Sequence, residues 1–360
     1  MLIDRIREGY QSFDNLVNRL GSQLPLRFDL EPQRARSKDW ERRVQVMREV
    51  FARHTPAIHL GELLGSGGFS DVFEALSDYE GVTRFALKVL RRELLQIRRS
   101  EPRGSEEMRI KEVKQRFKNE SFVQWDLSQN LDPQIAASVV RVYDHGEFDS
   151  RYEYRFILME RMESTLRDYI GDTTNHRNSP LQLLYKLRLI REIAARIQSV
   201  HSAGIFHRDI KPENIMFPRT PRTGQGYERR IDVKLGDFGT VRWIRSYSDS
   251  FDAVIIGSQM YMAPEQIYSP RNIDLRADIY SFGVVCYELL FGEHPKDVGP
   301  DTSRLLEKLL KAEPTPRVPP RGYEPLYDII LNCMKGRERR YQSMDDALER
   351  LTAFGEAIDA

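Results

Sequence analysis

The string His207-Arg208-Asp209-Ile210-Lys211-Pro212-Glu213-Asn214 sets a carboxylate, an ammonium and an amide close together in one short stretch. The carboxylate of Asp209 can accept the proton of an attacking hydroxyl, and Lys211 can neutralise charge on a phosphate in transfer. The amide oxygen of Asn214 is the hard donor that magnesium prefers. Asp237-Phe238-Gly239 supplies a second hard donor, a full carboxylate. Lys88, in Ala86-Leu87-Lys88-Val89, lies among apolar neighbours, where an ammonium is costly unless it meets an anion. Upstream, Leu64-Gly65-Ser66-Gly67-Gly68-Phe69-Ser70-Asp71-Val72 is rich in glycines that let backbone amides come close to a polyphosphate, with Phe69 placed to shield it from water. Taken singly, the glycine string is also a tight hairpin, and the lysine is also one that reaches past a sheet edge. The His207 to Asn214 string is specific by itself, and order and spacing give weight to Asp237-Phe238-Gly239.

Those segments need a sheet and a helical body to hold them. A period of two predicts strands over Ile58 to Leu64, Asp71 to Leu76 and Arg84 to Leu90, with further strands near Val139 to Tyr143 and Arg155 to Met159. The glycine string therefore joins two strands, a context that excludes the dinucleotide-binding turn between a strand and a helix. Between these strands, Arg91 to Glu120 is charged and helical in tendency, interrupted at Glu101-Pro-Arg-Gly104. Beyond Thr165 the pattern is mostly helical, with stripes over Leu181 to His201 and Ala277 to Phe291. Short strands are expected at Asn214 to Phe217 and Asp232 to Leu235, joined by a basic surface loop from Pro218 to Arg230. Residues 1–55 read as two amphipathic helices, the first with Ile3, Ile6, Tyr10, Phe13, Val17 and Leu20 on one stripe. They carry no chemical motif.

Bulk properties narrow the partners. At 360 residues the chain is long enough to divide into at least two units, and 40% hydrophobic with 30% charged residues is the balance of a globular protein. With 55 basic against 54 acidic residues the net charge is +1, so no global field recruits nucleic acid or an anionic membrane. Cys286 and Cys333 sit in apolar helical patterns and are expected to be buried free thiols, in keeping with a reducing compartment. The amino terminus lacks an apolar leader, and no window has about eighteen uncharged apolar residues, so neither a membrane span nor secretion is expected and a cytoplasmic location is.

Over about Ile58 to Phe354 the motifs resemble the eukaryotic-type, or Hanks-type, serine/threonine protein kinases. The resemblance implies an α+β, bilobal fold: a β-rich small lobe over 56–162, an α-helical large lobe over 163–360, ATP in the cleft between them, and here an N-terminal helical extension over 1–55. It implies ATP and Mg2+ as cofactors, Asp209 as catalytic base, Lys88 as the phosphate-binding lysine, and Asn214 and Asp237 as metal ligands. Glu120 is the best match for the helix-borne glutamate that pairs with Lys88, with Glu112 as the alternative. Gln124, one turn further on, stands where the family has an apolar residue beside His207 and Phe238. Met159, Glu160 and Met162 resemble the hinge that holds the adenine edge, with Ala86, Val72 and Met216 covering the adenine faces. Lys211 with Pro212 resembles the serine/threonine branch, and Ser258 the substrate-facing position. Arg340 resembles the arginine that pairs with Glu265. Arg208 before the base is the arrangement of kinases switched by a phosphate, for which Ser246, Tyr247, Ser248 and Ser250 are candidates, against a plain solvated loop.

Three readings follow: a kinase acting on protein substrates, a kinase-fold scaffold without catalysis, and a small-molecule phosphotransferase. The presence of Lys88, Asp209, Asn214 and Asp237 together favours catalysis, and Ala263-Pro264-Glu265 favours a polypeptide substrate. The apolar stripe of the N-terminal helices suits a brace on the kinase itself, and alternatively self-association or a partner.

Overall fold

The computed structural model describes residues 58–66, 70–77, 83–90, 103–148, 154–172, 179–221, 231–239, 242–243, 260–269, 272–296 and 314–359. The expected N-terminal helices, the glycine-loop tip Gly67-Gly68-Phe69, residues 91–102 and the serines between 244 and 259 lie outside them.

Five strands form one antiparallel sheet: β1 (His59–Ser66), β2 (Ser70–Ser77), β3 (Thr83–Leu90), β4 (Val142–Phe148) and β5 (Tyr154–Glu160), in the order β1-β2-β3-β5-β4. Residues paired across strands share a face. Phe73 pairs with Leu87 and Leu87 with Leu158, and these join Ala75, Val89 and Phe156 in an apolar core on one side. Val72 pairs with Lys88 and Ala86 with Met159, so these four residues share the opposite side. The alternation that predicted strands thus also divides packing residues from candidate nucleotide residues.

Helix α1 (Arg103–Ser128) runs past the expected end near Glu120, since no helix breaker stands between Glu120 and Ser128. A short helix α2 (Pro133–Ser138) follows, capped by Asp132, whose carboxylate accepts from the Gln134 amide at 2.8 Å. Six residues are too few to show a period, so this helix escaped the sequence reading. Val139, expected to open a strand, makes only a parallel bridge to Leu235, and β4 begins at Val142.

The helical part is built from α3 (Leu166–Gly171), α4 (Pro180–Ser202), α5 (Pro264–Tyr268), α6 (Arg276–Phe291), α7 (Glu324–Cys333) and α8 (Met344–Asp359). Ser179 opens α4 with a reciprocal capping box to Gln182, and Gly292 closes α6 in the left-handed region at φ 78°. Helix α6 is buried from Ala277 to Leu290, and at Gly283 an added Cβ would meet the Cys333 Cβ at 2.7 Å, so α6 and α7 touch where one has no side chain. Cys286 and Cys333 are buried free thiols, as expected. Two-residue strands β6 (Ser164–Thr165), β7 (Ile205–Phe206), β9 (Lys234–Leu235) and β10 (Arg242–Trp243), with β8 (Ile215–Phe217), pair as β6-β8-β9 and β10-β7.

The chain separates into two units. One takes residues up to 117 together with 142–161; the other takes 118–141 and 162 onward. Helix α1 is shared: Glu120 and Gln124 belong with the helical unit. Among the described residues no helix is long and apolar enough to cross a membrane.

Candidate functional site

In the sheet unit, Lys88 sits on the central strand β3 between Val72 and Ile157 and is largely buried, at 9% exposure. Ala86 and Met159 lie opposite one another on the same side, and Glu160 pairs with Phe85 at the end of β5. The base of the glycine hairpin is fixed by Ser66 and Asp71, which are register partners and are joined by a 2.6 Å bond from the Ser66 hydroxyl to the Asp71 carboxylate. Ser70 is buried, while Leu64 is exposed and Gly65 has open space around it.

The helical unit holds the other predicted residues. Lys211 Nζ donates to Asp209 Oδ2 at 2.9 Å, and Asn214 Nδ2 donates to the Asp209 carbonyl at 2.8 Å and to Oδ2 at 3.2 Å. Two independent donors therefore hold the Asp209 carboxylate in place. A 3-10 turn over Pro212–Asn214 leads into β8, which pairs with β9 through Ile215 with Leu235 and Met216 with Lys234. Gly236 N donates to the Asn214 carbonyl at 3.0 Å, which brings the strand leading to Asp237 alongside Asn214. Asn214 and Asp237 are both oxygen donors, the type that a magnesium ion takes. Met216 sits beside Gly236, and Met162 also falls in this unit. Glu120, on α1, is buried at 5% exposure.

Arg208 and Asp237 have φ of 67° and 62°, a left-handed backbone that non-glycine residues avoid. The surroundings hold both in place. The carboxylate of Asp278 accepts the Arg208 amide at 2.6 Å and the His207 amide at 2.7 Å, and lies 2.9 Å from His201 Nε2. Burial alone would raise the Asp278 carboxyl, yet the His201 hydrogen bond, the nearby histidines and the Arg208 amide hold it below the ordinary carboxylate range. Gln266 fastens the other side: its Nε2 donates to the Arg208 carbonyl at 2.9 Å, while its Oε1 accepts from the Ala263 amide at 2.9 Å. On the Asp237 side, His207 Nε2 lies 3.0 Å from the Gly236 carbonyl and its ring packs on Phe238 at 4.5 Å between centroids. The Arg208 guanidinium lies over the Phe206 ring at 5.0 Å.

A second polar cluster adjoins this loop and was not anticipated. Arg167, on α3, donates to Glu213 at 2.8 Å and to Glu288 at 2.6 Å and also bonds the Tyr261 hydroxyl, which donates to Glu288 at 2.6 Å. Burial first, then the Glu288 carboxylate, pushes the Tyr261 hydroxyl well above its ordinary range, so it stays protonated. Asp278 and Glu288 had only one sequence signal, charged residues within the apolar run Ala277 to Leu290, and Gln266 had none. The expected Arg340 to Glu265 pair is present and bidentate, at 2.8 and 3.0 Å, with both side chains 1% exposed.

A five-stranded antiparallel sheet with a buried lysine, and a helical unit whose loop gathers an acid, a lysine and an amide, define the class of phosphoryl-transfer folds. Within that class the chain belongs to the protein kinase domain family, which matches residues 58–350, and this bears out the resemblance found in the sequence. It is 32% identical over 292 residues to the serine/threonine-protein kinase PknB of Mycobacterium leprae (strain TN), covering 79% of this chain and 40% of that protein. It is 29% identical over 318 residues to serine/threonine-protein kinase A of Synechocystis sp., covering 84% and 54%. PknL of Mycobacterium tuberculosis is 33% identical over 201 residues, 56% of this chain and 46% of PknL. The chain thus spans about half the length of these relatives.

Proposed function

We propose that this chain transfers the γ-phosphoryl group of ATP, with magnesium, to serine or threonine hydroxyls of protein substrates. The reading is carried by one observation: Lys211 and Asn214 both hydrogen-bond Asp209, and the Asn214 carbonyl takes the amide of Gly236, the residue before Asp237. Family membership and the relatives' printed names support it. On this reading residues 56–162 form the small lobe and 163–360 the large lobe.

Asp209 orients the incoming hydroxyl and accepts its proton, while Lys211, already beside that carboxylate, offsets charge on the phosphoryl group as the bond to the leaving oxygen lengthens. Asn214 and Asp237 would hold magnesium, whose charge stabilises the phosphates when it is bound. Lys88 supplies the fixed positive charge for the phosphates, oriented by Glu120, and residues 64–72 cover them. Val72, Ala86 and Met216 pack on the adenine, with Met159, Glu160 and Met162 along its edge. Catalysis on this scheme is positioning plus preorganised electrostatics. It relies on the strained backbone at Arg208 and Asp237 being held by the Asp278 and His207 bonds.

Labelled-phosphate transfer from ATP to a library of serine and threonine peptides, with and without magnesium, tests this. The wild type should label peptides only with the metal, and Asp209→Asn should lower turnover by about a hundredfold or more while still binding nucleotide. Equal labelling by the Asp209→Asn protein would refute the assignment.

A further inference from the structure

Gln124 is an amide buried in an otherwise apolar place. It is 1% exposed, next to Val123 and one turn from Leu127, both members of the main core with Val139, Leu235 and Phe238. A buried amide without a partner costs about 1–3 kcal/mol, so its bonding is decisive. Its Nε2 donates to the Val140 carbonyl at 3.1 Å.

Val140 lies outside the regular strands, and what it touches gives this bond its meaning. The Val140 amide donates to the Leu235 carbonyl at 2.9 Å, beside the parallel bridge of Val139 to Leu235. The next residue, Gly236, donates to Asn214 and has its carbonyl 3.0 Å from His207 Nε2; a Cβ added there would touch Met216 at 3.1 Å and Val140 at 3.4 Å. Asp237 follows in its left-handed conformation. Gln124 therefore starts a continuous chain of bonds and contacts from α1 through Val140 to Leu235 and Gly236, the backbone just before Asp237, and on to the Asn214 carbonyl. Residues four apart on a helix lie on one face, so Glu120 rides on the same face of α1 as this anchor.

We infer that Gln124 is a positioning residue: it sets the axial and rotational register of the Glu120 helix against the strand that presents Asp237. An apolar side chain of the same volume fills the space, but dispersion is weakly directional and tolerates sliding of a helix along its neighbour. A hydrogen bond to one carbonyl does not, because it weakens steeply with angle and distance. The helix and the Asp237 strand are thereby tied through the two hydrogen bonds of Val140. The inference rests on the roles proposed above for Glu120 and Asp237.

The test is Gln124→Met, which keeps length and volume and lacks the donor, with Gln124→Leu beside it. Steady-state kinetics should show kcat reduced about tenfold, the worth of one net hydrogen bond, with KM for ATP changed less than about twofold. Melting temperature should be held or raised, since an apolar group replaces a buried amide. Hydrogen exchange in the same proteins should be faster at the Val140 and Gly236 amides in Gln124→Met than in wild type. A kcat within twofold of wild type, a fall in kcat that merely follows a fall in melting temperature, or unchanged exchange at those amides would each overturn the inference. If the wild type transfers no phosphate at all, the proposed function fails, and the exchange measurement still decides on the coupling.

Discussion

Two buried carboxylates on this chain behave in opposite ways, and their neighbours explain why. Asp278 has two backbone amides and a histidine on its oxygens and is held below the usual carboxylate range, although fully buried. Asp144, on the core face of the sheet opposite Leu158, has one: Oδ1 accepts the His145 amide at 2.7 Å, and Oδ2 is buried without a partner. Burial pushes its carboxyl up to about 7, the His145 bond opposing only in part. Because the folded value lies above the unfolded one near 3.8, Asp144 weakens the fold progressively as pH rises from about 4 to about 7, and the full penalty applies above that. Asp144→Asn keeps the acceptor for His145 and removes the charge. Urea unfolding should show it more stable than wild type by about 2–4 kcal/mol at pH 8, with the gain shrinking toward pH 4.

At the scale of elements, the termini of helices meet at Arg340. Its guanidinium grips Glu265 at the start of α5, donates at 2.8 Å to the Arg276 carbonyl at the start of α6, and lies 5.1 Å from the Tyr280 ring centroid. Removing one member of such a buried pair leaves an uncompensated charge, so Arg340→Met should lower stability by about 3–5 kcal/mol in urea unfolding. Adding Glu265→Gln should recover part of that loss. Elements of this kind differ in how far their sequence announces them. The strands β1, β2, β3 and β5 and the helices α4 and α6 were legible because each is long enough to show its period. Helix α2 and the two-residue strands β6, β7 and β10 were not: they owe their conformation to a cap at Asp132 and to neighbours such as Phe217, not to any repeat.

For the molecule as a whole, the candidate residues fall into two units, with Lys88 in one and Glu120, Asp209, Asn214 and Asp237 in the other. On the proposed function, a nucleotide that binds only the folded chain stabilises it by mass action, by about 2.7 kcal/mol at a hundredfold excess over Kd. Thermal unfolding should therefore shift upward with ATP and magnesium together, more than with ATP alone. Asp237→Ala should abolish the extra shift due to the metal while keeping most of that due to the nucleotide. Equal shifts with and without magnesium in the wild type would count against Asp237 as a metal ligand.

By itself the sequence determined the chemistry: which side chains are acids, bases, amides and glycines, and their spacing within loops and strands only a few residues long. That much is local, because a turn or a strand places neighbours in the chain at distances set by the backbone alone. Tertiary structure alone decided what holds those groups in place. Asp278 reaches His207 across 71 positions, Gln124 reaches Val140 across 16, and Arg167 reaches Glu288 across 121. No periodicity encodes such pairs, since each depends on packed elements meeting, and a buried polar atom takes its partner from whatever the fold brings within hydrogen-bond distance.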